Sequence, residues 1–263
     1  MIRKIAVIGF YVLLPVGILI LLGFAIDNNQ SMQCRSFRVN IESDDGMAFV
    51  DSAAVVHKVY SMIDTLDQKL MKQIPLNRIE EVINTMYYVE SSRVYRTIDG
   101  HIVADILQRQ PVARVINSMN ESYYIDREGK LMRPSRSYTA RVPVVTGFIN
   151  TRYSPNFDIN NLRDREELSA SEDIIRQLND LILFIQKDVF LNSWIDQIYV
   201  TRAGEFELVP VNGSHTIEIG KVENLEAKFN KLMIFYKNGL THVGWGSYNR
   251  INLKFKNQVV CSK

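Results

Sequence analysis

Four histidines, two cysteines and a scatter of carboxylates are the residues of this 263-residue chain best suited to acid–base, nucleophilic or metal chemistry. His57, His101, His215 and His242 stand far apart, without the i, i+4 spacing that sets two imidazoles on one helix face for a metal ion. Cys34 and Cys261 sit near opposite ends, which excludes a four-cysteine zinc site and a C-x-x-C redox pair. There is no glycine-rich phosphate loop and no G-x-S-x-G elbow; Gly244-Trp245-Gly246-Ser247 has its residues in the wrong order. Asp105, Asp126, Glu205 and Glu207 could serve as general acid and base only if the fold gathered two of them in one cleft. No cofactor or metal is expected, and no motif supports catalysis.

The rest of the composition narrows the partners. With 46% apolar and 23% charged residues the chain is globular. Lys and Arg number 31 against 29 for Asp and Glu, and neither sign forms a long block, so no nucleic-acid partner is expected. Ile5 to Ile26 carries 22 residues without a charge, about 33 Å of helix, which matches the hydrocarbon core of a bilayer. Pro15 and Gly17 inside the run are tolerated in membrane helices. Arg3 and Lys4 precede it and Asp27 follows, so residues 1–4 are a cytoplasmic tail and the bulk of the chain lies outside. A cleaved signal peptide would end at a small-x-small site, which Phe24-Ala25-Ile26-Asp27 lacks. The expected topology is a single-pass signal anchor over 5–26 and a linker over 27–34.

Beyond the linker the periodicity changes repeatedly. Residues 35–42 alternate, with Phe37, Val39 and Ile41 on one side, as in a half-buried strand. A helix capped by Asp51 or Ser52 follows, with Val55, Val59 and Met62 on its apolar stripe. A second helix begins after Pro75, where Asn77 and Glu80 have the form of a capping box and Ile79, Val82, Ile83 and Met86 form the apolar face. Residues 89–98 and 101–109 then read as a hairpin joined at Asp99-Gly100. The order is strand, helix, helix, strand, strand.

After Pro111 the sequence is mostly strand-like, at 112–116, 123–125, 131–132 and 142–146, with a loose stretch over 150–165. One helix carries Ile174, Leu178, Leu181, Ile182 and Ile185 and is entered by Glu172 and Asp173, which suit the positive end of a helix dipole. Another carries Leu225, Phe229, Leu232, Met233 and Tyr236. Between them 195–201, 205–211 and 215–219 form a meander, and 250–255 reads as a final strand in which Ile251, Leu253 and Phe255 alternate with Asn252 and Lys254. The fold class is α+β. Outside the cytoplasm a disulfide between Cys34 and Cys261 is chemically allowed, although one precedes the first domain and the other closes the last.

The ordered set of segments resembles the FtsQ/DivIB cell-division proteins. It comprises the short tail and anchor, the strand–helix–helix–strand–strand unit ending in Leu107-Gln108-Arg109-Gln110-Pro111-Val112, and a β-rich remainder. That remainder holds Tyr123-Tyr124-Ile125-Asp126-x-x-Gly129, Val142-Pro143-Val144-Val145-Thr146-Gly147, and the closing segment from Ile251 to Cys261. The resemblance implies a POTRA domain over 35–109 and a β domain over 110–263. It further implies a non-enzymatic scaffold in the bacterial inner membrane, at the septum, whose periplasmic β domain binds FtsB and FtsL.

A final strand with no successor leaves backbone groups unpaired along one edge, which a partner strand can complete. Tyr248, Arg250, Asn252, Lys254, Phe255, Lys256 and Gln258 are the residues of that expected edge, with Phe255 or Tyr248 as the desolvated centre. Lysines there also blunt an edge against aggregation. By the same resemblance Arg78, Glu81 and Asn84 on the second helix, and Arg109 at the hairpin's end, are where other division partners would touch. Two other classes compete: an anchored peptidoglycan hydrolase with paired carboxylates, and an outer-membrane assembly or secretion factor, which would need a barrel or repeated POTRA units.

Overall fold

In β1 (Ser36–Glu42) alternation turns Phe37, Val39 and Ile41 to one side, and all three pack against the core of the N-terminal unit. The computed structural model describes residues 14–18, 20, 32–42, 46, 48–63, 66, 69–212 and 215–263. The chain divides into two compact units, 1–108 and 109–263. The anchor expected from Ile5 to Ile26 falls largely outside the described residues, which within it are the helical 14–18 and 20. Among the described residues no helix is long and apolar enough to cross a membrane.

In the first unit α1 (Ser52–Ile63) buries Val55 and Val59. Its cap is Asp51, whose carboxylate accepts from the N–H groups of Ala53 and Ala54 at 3.4 and 3.2 Å. α2 (Leu76–Asn84) buries Ile79, Val82 and Ile83 as expected, but it starts differently. Pro75 occupies the cap position without a side-chain bond, and Asn77 lies inside the helix. Proline needs no N–H partner at a helix start, so no capping box forms. Glu80 is thereby released to accept from Val94 N–H at 3.0 Å, tying α2 to the sheet.

β2 (Val89–Arg96) and β3 (His101–Gln108) form the expected hairpin, and Gly100 takes φ +89°, where a side chain is strained. β1 pairs parallel to β3 over seven residues, from Ser36 opposite His101 to Glu42 opposite Leu107, giving sheet order β1-β3-β2. Parallel neighbours need a long crossover, and α1 and α2 supply it. At the far end of β3 the buried Gln108 Oε1 accepts from Phe49 and Val50 N–H at 2.9 and 2.8 Å.

The second unit is built on nine strands in the order β12-β11-β10-β9-β8-β7-β4-β5-β6. They are β4 (Pro111–Ile116), β5 (Ser122–Asp126), β6 (Leu131–Met132), β7 (Val144–Gly147), β8 (Ile195–Val200), β9 (Phe206–Pro210), β10 (Thr216–Gly220), β11 (Arg250–Asn252) and β12 (Val260–Ser262). α3 (Ala170–Gln186) buries Ile175, Leu178, Leu181, Ile182 and Ile185, and α5 (Leu225–Phe235) buries Phe229 and Leu232. Phe184 of α3 stacks on Phe229 with ring centroids 5.2 Å apart. Along β9 and β10, Phe206, Leu208, Ile217 and Ile219 are buried, while Glu207 and Glu218 on alternate positions are not. One face of this part of the sheet therefore meets the core and the other meets water.

Several elements depart from the sequence reading. Between α3 and β8 there is a further helix, α4 (Val189–Trp194), capped by Asp188, which accepts from Leu191 N–H at 3.0 Å. Its six residues are too few for an apolar period to show. The stretch 150–165 is irregular but not loose throughout, because Ile159 and Leu162 in the turn Ile159–Leu162 are buried.

The expected strand over 250–255 stops at Asn252, whose own Oδ1 accepts from Lys254 N–H at 2.9 Å and replaces a neighbouring strand. The chain turns at Asn257, with φ +63°, and returns as β12 antiparallel to β11. β11 is thus an inner strand, and β12 is the edge.

Candidate functional site

The end of the sheet formed by β9, β10, β11 and β12 holds most of the residues expected to bind a partner. Glu207 and Glu218 lie directly opposite each other across β9 and β10, an arrangement that repels unless a cation intervenes. Arg250 intervenes. Its Nη2 lies 2.7 Å from Glu207 Oε1 and its Nε donates to Glu218, whose other oxygen accepts from Asn252 Nδ2 at 2.6 Å. The bond to Glu218 raises the Arg250 pKa, outweighing partial desolvation. Lys254 Nζ completes the row, 3.1 Å from Glu205 and 3.8 Å from Glu218. Arg250, Asn252 and Lys254 are therefore occupied in fastening β11 to β9 and β10.

Past Leu253 the loop is held by a residue the sequence did not single out. Lys231 of α5 extends its ammonium to the carbonyls of Leu253 at 3.1 Å, Phe255, and Gln258 at 3.5 Å. Three acceptors around one ammonium fix the course of the segment between β11 and β12. Periodicity could not reveal this, since the bonds join residues 22 to 27 positions apart. Phe255 is 46% exposed and Val260 on the edge strand 42%, while Lys256 and Gln258 are exposed beside them. A groove runs between this loop and α5, lined by Asn224, Ala227, Lys228, Lys231, Phe255 and Lys256 among others. Tyr248 is half-buried, its ring 6.2 Å from that of Phe235.

The other expected site residues fare differently. Arg78 and Glu81 form a solvated i, i+3 pair at 3.0 Å, and Asn84 Oδ1 accepts from Ser92 Oγ at 2.9 Å. Arg109 belongs to the second unit and is no surface residue of the first. Its guanidinium turns inward to the buried Asp126, with Nε and Nη2 both 2.7 Å from Oδ2. Burial pushes the Asp126 carboxyl up, against the opposing pull of Arg109 and of Lys130 N–H. Cys34 and Cys261 are not joined: the Cys34 thiol faces Ser36 O in the first unit, and burial pushes the Cys261 thiol up in the second.

The histidines remain dispersed. His57 and His242 are exposed, His101 bonds Ser36 and Arg38 at 2.8 Å each, and His215 is buried with Nε2 2.7 Å from Tyr236 Oη. Burial lowers the His215 pKa and pushes the Tyr236 phenol up to about 12. Among the described residues no group of three His, Cys, Asp or Glu could hold a metal ion. Asp105 bonds Asn40 at 2.8 Å in the first unit, while Asp126, Glu205 and Glu207 are each paired with a cation in the second.

Comparison with individual curated proteins gives no match. Two family profiles do match: a POTRA-like domain over residues 32–107, and the FtsQ/DivIB, C-terminal related domain over residues 110–262. The second covers more than half of the sequence and includes β4 to β12, with the salt-bridged row and the clasped loop, so the chain belongs to the FtsQ/DivIB family of cell-division proteins.

Proposed function

We propose that this protein is a non-enzymatic scaffold of the bacterial divisome. It is anchored in the inner membrane by Ile5 to Ile26, with residues 1–4 in the cytoplasm and the two units in the periplasm at the septum. Its β domain takes FtsB- and FtsL-type partners by strand addition to β12, and so links early division proteins to septal cell-wall synthesis. The observation that carries the reading is the outer side of β12: among the described residues it has no neighbouring strand, and Val260 of β12 and Phe255 of the preceding loop are both exposed. Family membership supports the role in cell division, and edge geometry supports the mode of binding.

The proposed contact lies one strand further out than the sequence alone suggests. Arg250, Asn252 and Lys254 hold the platform, whereas Phe255, Lys256, Gln258 and Val260 meet the partner. The hydrolase reading is weaker, since Glu205, Glu207 and Asp126 are each neutralised by a cation.

The test is binding of the full chain, reconstituted in lipid nanodiscs, to the periplasmic segments of FtsB and FtsL homologues from the same cell. Phe255→Ala and Val260→Asp should each weaken binding about tenfold or more, as central interface residues do. Arg78→Ala should leave it unchanged. Failure of the folded wild-type chain to bind would overturn the proposal.

A further inference from the structure

The turn between β2 and β3 carries Ile98, which is 86% exposed. An apolar β-branched side chain at a turn tip has no packing role to explain it. This tip lies at the end of the first unit where the chain arrives from the apolar run. Arg35 N–H donates to Gly100 O at 2.8 Å, and Met71 N–H donates to Met32 O at 2.9 Å. From Ile26, where the run stops, to Met32 is six residues, which can span no more than about 22 Å. A bilayer crossed by residues 5–26 is therefore within reach of this end.

The charges around the tip suit such a surface. Arg35, Arg38 and Lys72 are exposed there, and Arg96, half-buried, donates to Ile74 O at 2.9 Å. Asp99 is the acidic neighbour, and His101 lies between it and Arg38, at 3.3 and 2.8 Å. Basic side chains around an apolar tip match the boundary between anionic headgroups and acyl chains. One isoleucine and a few cations would bind a membrane feebly from solution, but a tether of a few residues makes the contact intramolecular and raises its effective concentration.

We propose that the β2–β3 turn rests on the outer surface of the membrane, with Ile98 seated at the headgroup boundary and Arg35, Arg38 and Lys72 facing anionic phospholipid. The contact orients the first unit and rests on the reading of residues 5–26 as an anchor.

The test uses the full chain reconstituted into phosphatidylethanolamine–phosphatidylglycerol vesicles, in parallel with phosphatidylcholine vesicles. Tryptophan emission is read for Ile98→Trp and for Tyr87→Trp, which is 54% exposed and lies beside β2 at the opposite end of the hairpin. Wild-type emission from Trp194 and Trp245 is subtracted. With brominated lipids, Ile98→Trp should lose most of its added emission in the anionic vesicles and less in the neutral ones, while Tyr87→Trp keeps its own. Equal quenching at the two positions overturns the contact, and equal quenching in the two lipids overturns its electrostatic part. Release of wild-type chain from the vesicles by alkaline carbonate overturns the anchor itself, and the contact with it.

Discussion

Asp126 and Arg109 show how far a residue's fate depends on partners distant in sequence. The carboxylate is 3% exposed and the guanidinium 13%, so removing either leaves the other charge buried. Arg109→Ala should cost about 3–5 kcal/mol in urea unfolding, the usual penalty for an orphaned buried ion. Burial already raises the Asp126 pKa and loss of Arg109 raises it further, so the deficit should shrink as pH falls from the variant's value toward the wild-type one, because the variant's folded state takes up the proton first. His215 gives the opposite trend. Its folded pKa lies below the ordinary 6.5, so as pH falls below that value the unfolded chain gains a proton that the folded chain does not. Stability should decline by at most about 1.4 kcal/mol per pH unit until the folded pKa is reached, and His215→Gln should flatten the decline. Denaturation midpoints measured between neutral and mildly acidic pH check this. The burial of Ile79, Val82 and Ile83 was legible in the sequence, because helix period alone sets it. The roles of Arg109 and Lys231 were not, since each is fixed by a contact 17 or more residues away.

Among the elements, β7 meets β8 unusually closely. Gly147 has φ +107°, and a Cβ placed there would lie 2.1 Å from the Val200 carbonyl oxygen. Backbone cannot yield as a flexible side chain does, so Gly147→Ala should lower stability by about 3 kcal/mol or more, read from the unfolding midpoint. α1, α3 and α5 were legible because each spans enough turns for an apolar stripe to repeat. Capping was less so. Ser169 and Glu172 form a reciprocal capping box at α3, whereas Asn77 and Glu80 share its spacing and form none, because Pro75 had already begun the helix. The strand expected over 250–255 misled for a related reason: Ile251, Leu253 and Phe255 alternate as a strand does, but Asn252 satisfies Lys254 N–H locally and ends the ladder. Alternation reports which side chains face inward, while strand length is decided by where backbone groups find partners.

At the scale of the whole molecule, each unit has its own hydrophobic core. One is built around Val55, Val59, Ile79, Ile83 and Ile102, the other around Ile125, Leu178, Ile198, Leu208 and Ile251. Residues 32–108 and 109–263, expressed separately, should each give dispersed amide spectra and a single unfolding transition, the smaller fragment at lower denaturant because it buries less surface. A featureless spectrum from either fragment would mean that its core is incomplete alone. The order of segments was legible from the sequence, since it needs only the alternation of periods; the outermost place of β12 was not, because three residues carry no pattern. The parallel pairing of β1 with β3 has a mechanical consequence. Tension applied to the first unit through the chain enters at Ser36 and leaves at Gln108, at opposite ends of two strands that run side by side. Such a pull slides the strands along each other and stretches their seven pairings together instead of peeling them one by one. Under the role proposed above, a pull between membrane and partners would load the first unit along its strands, the direction in which such a pair resists most.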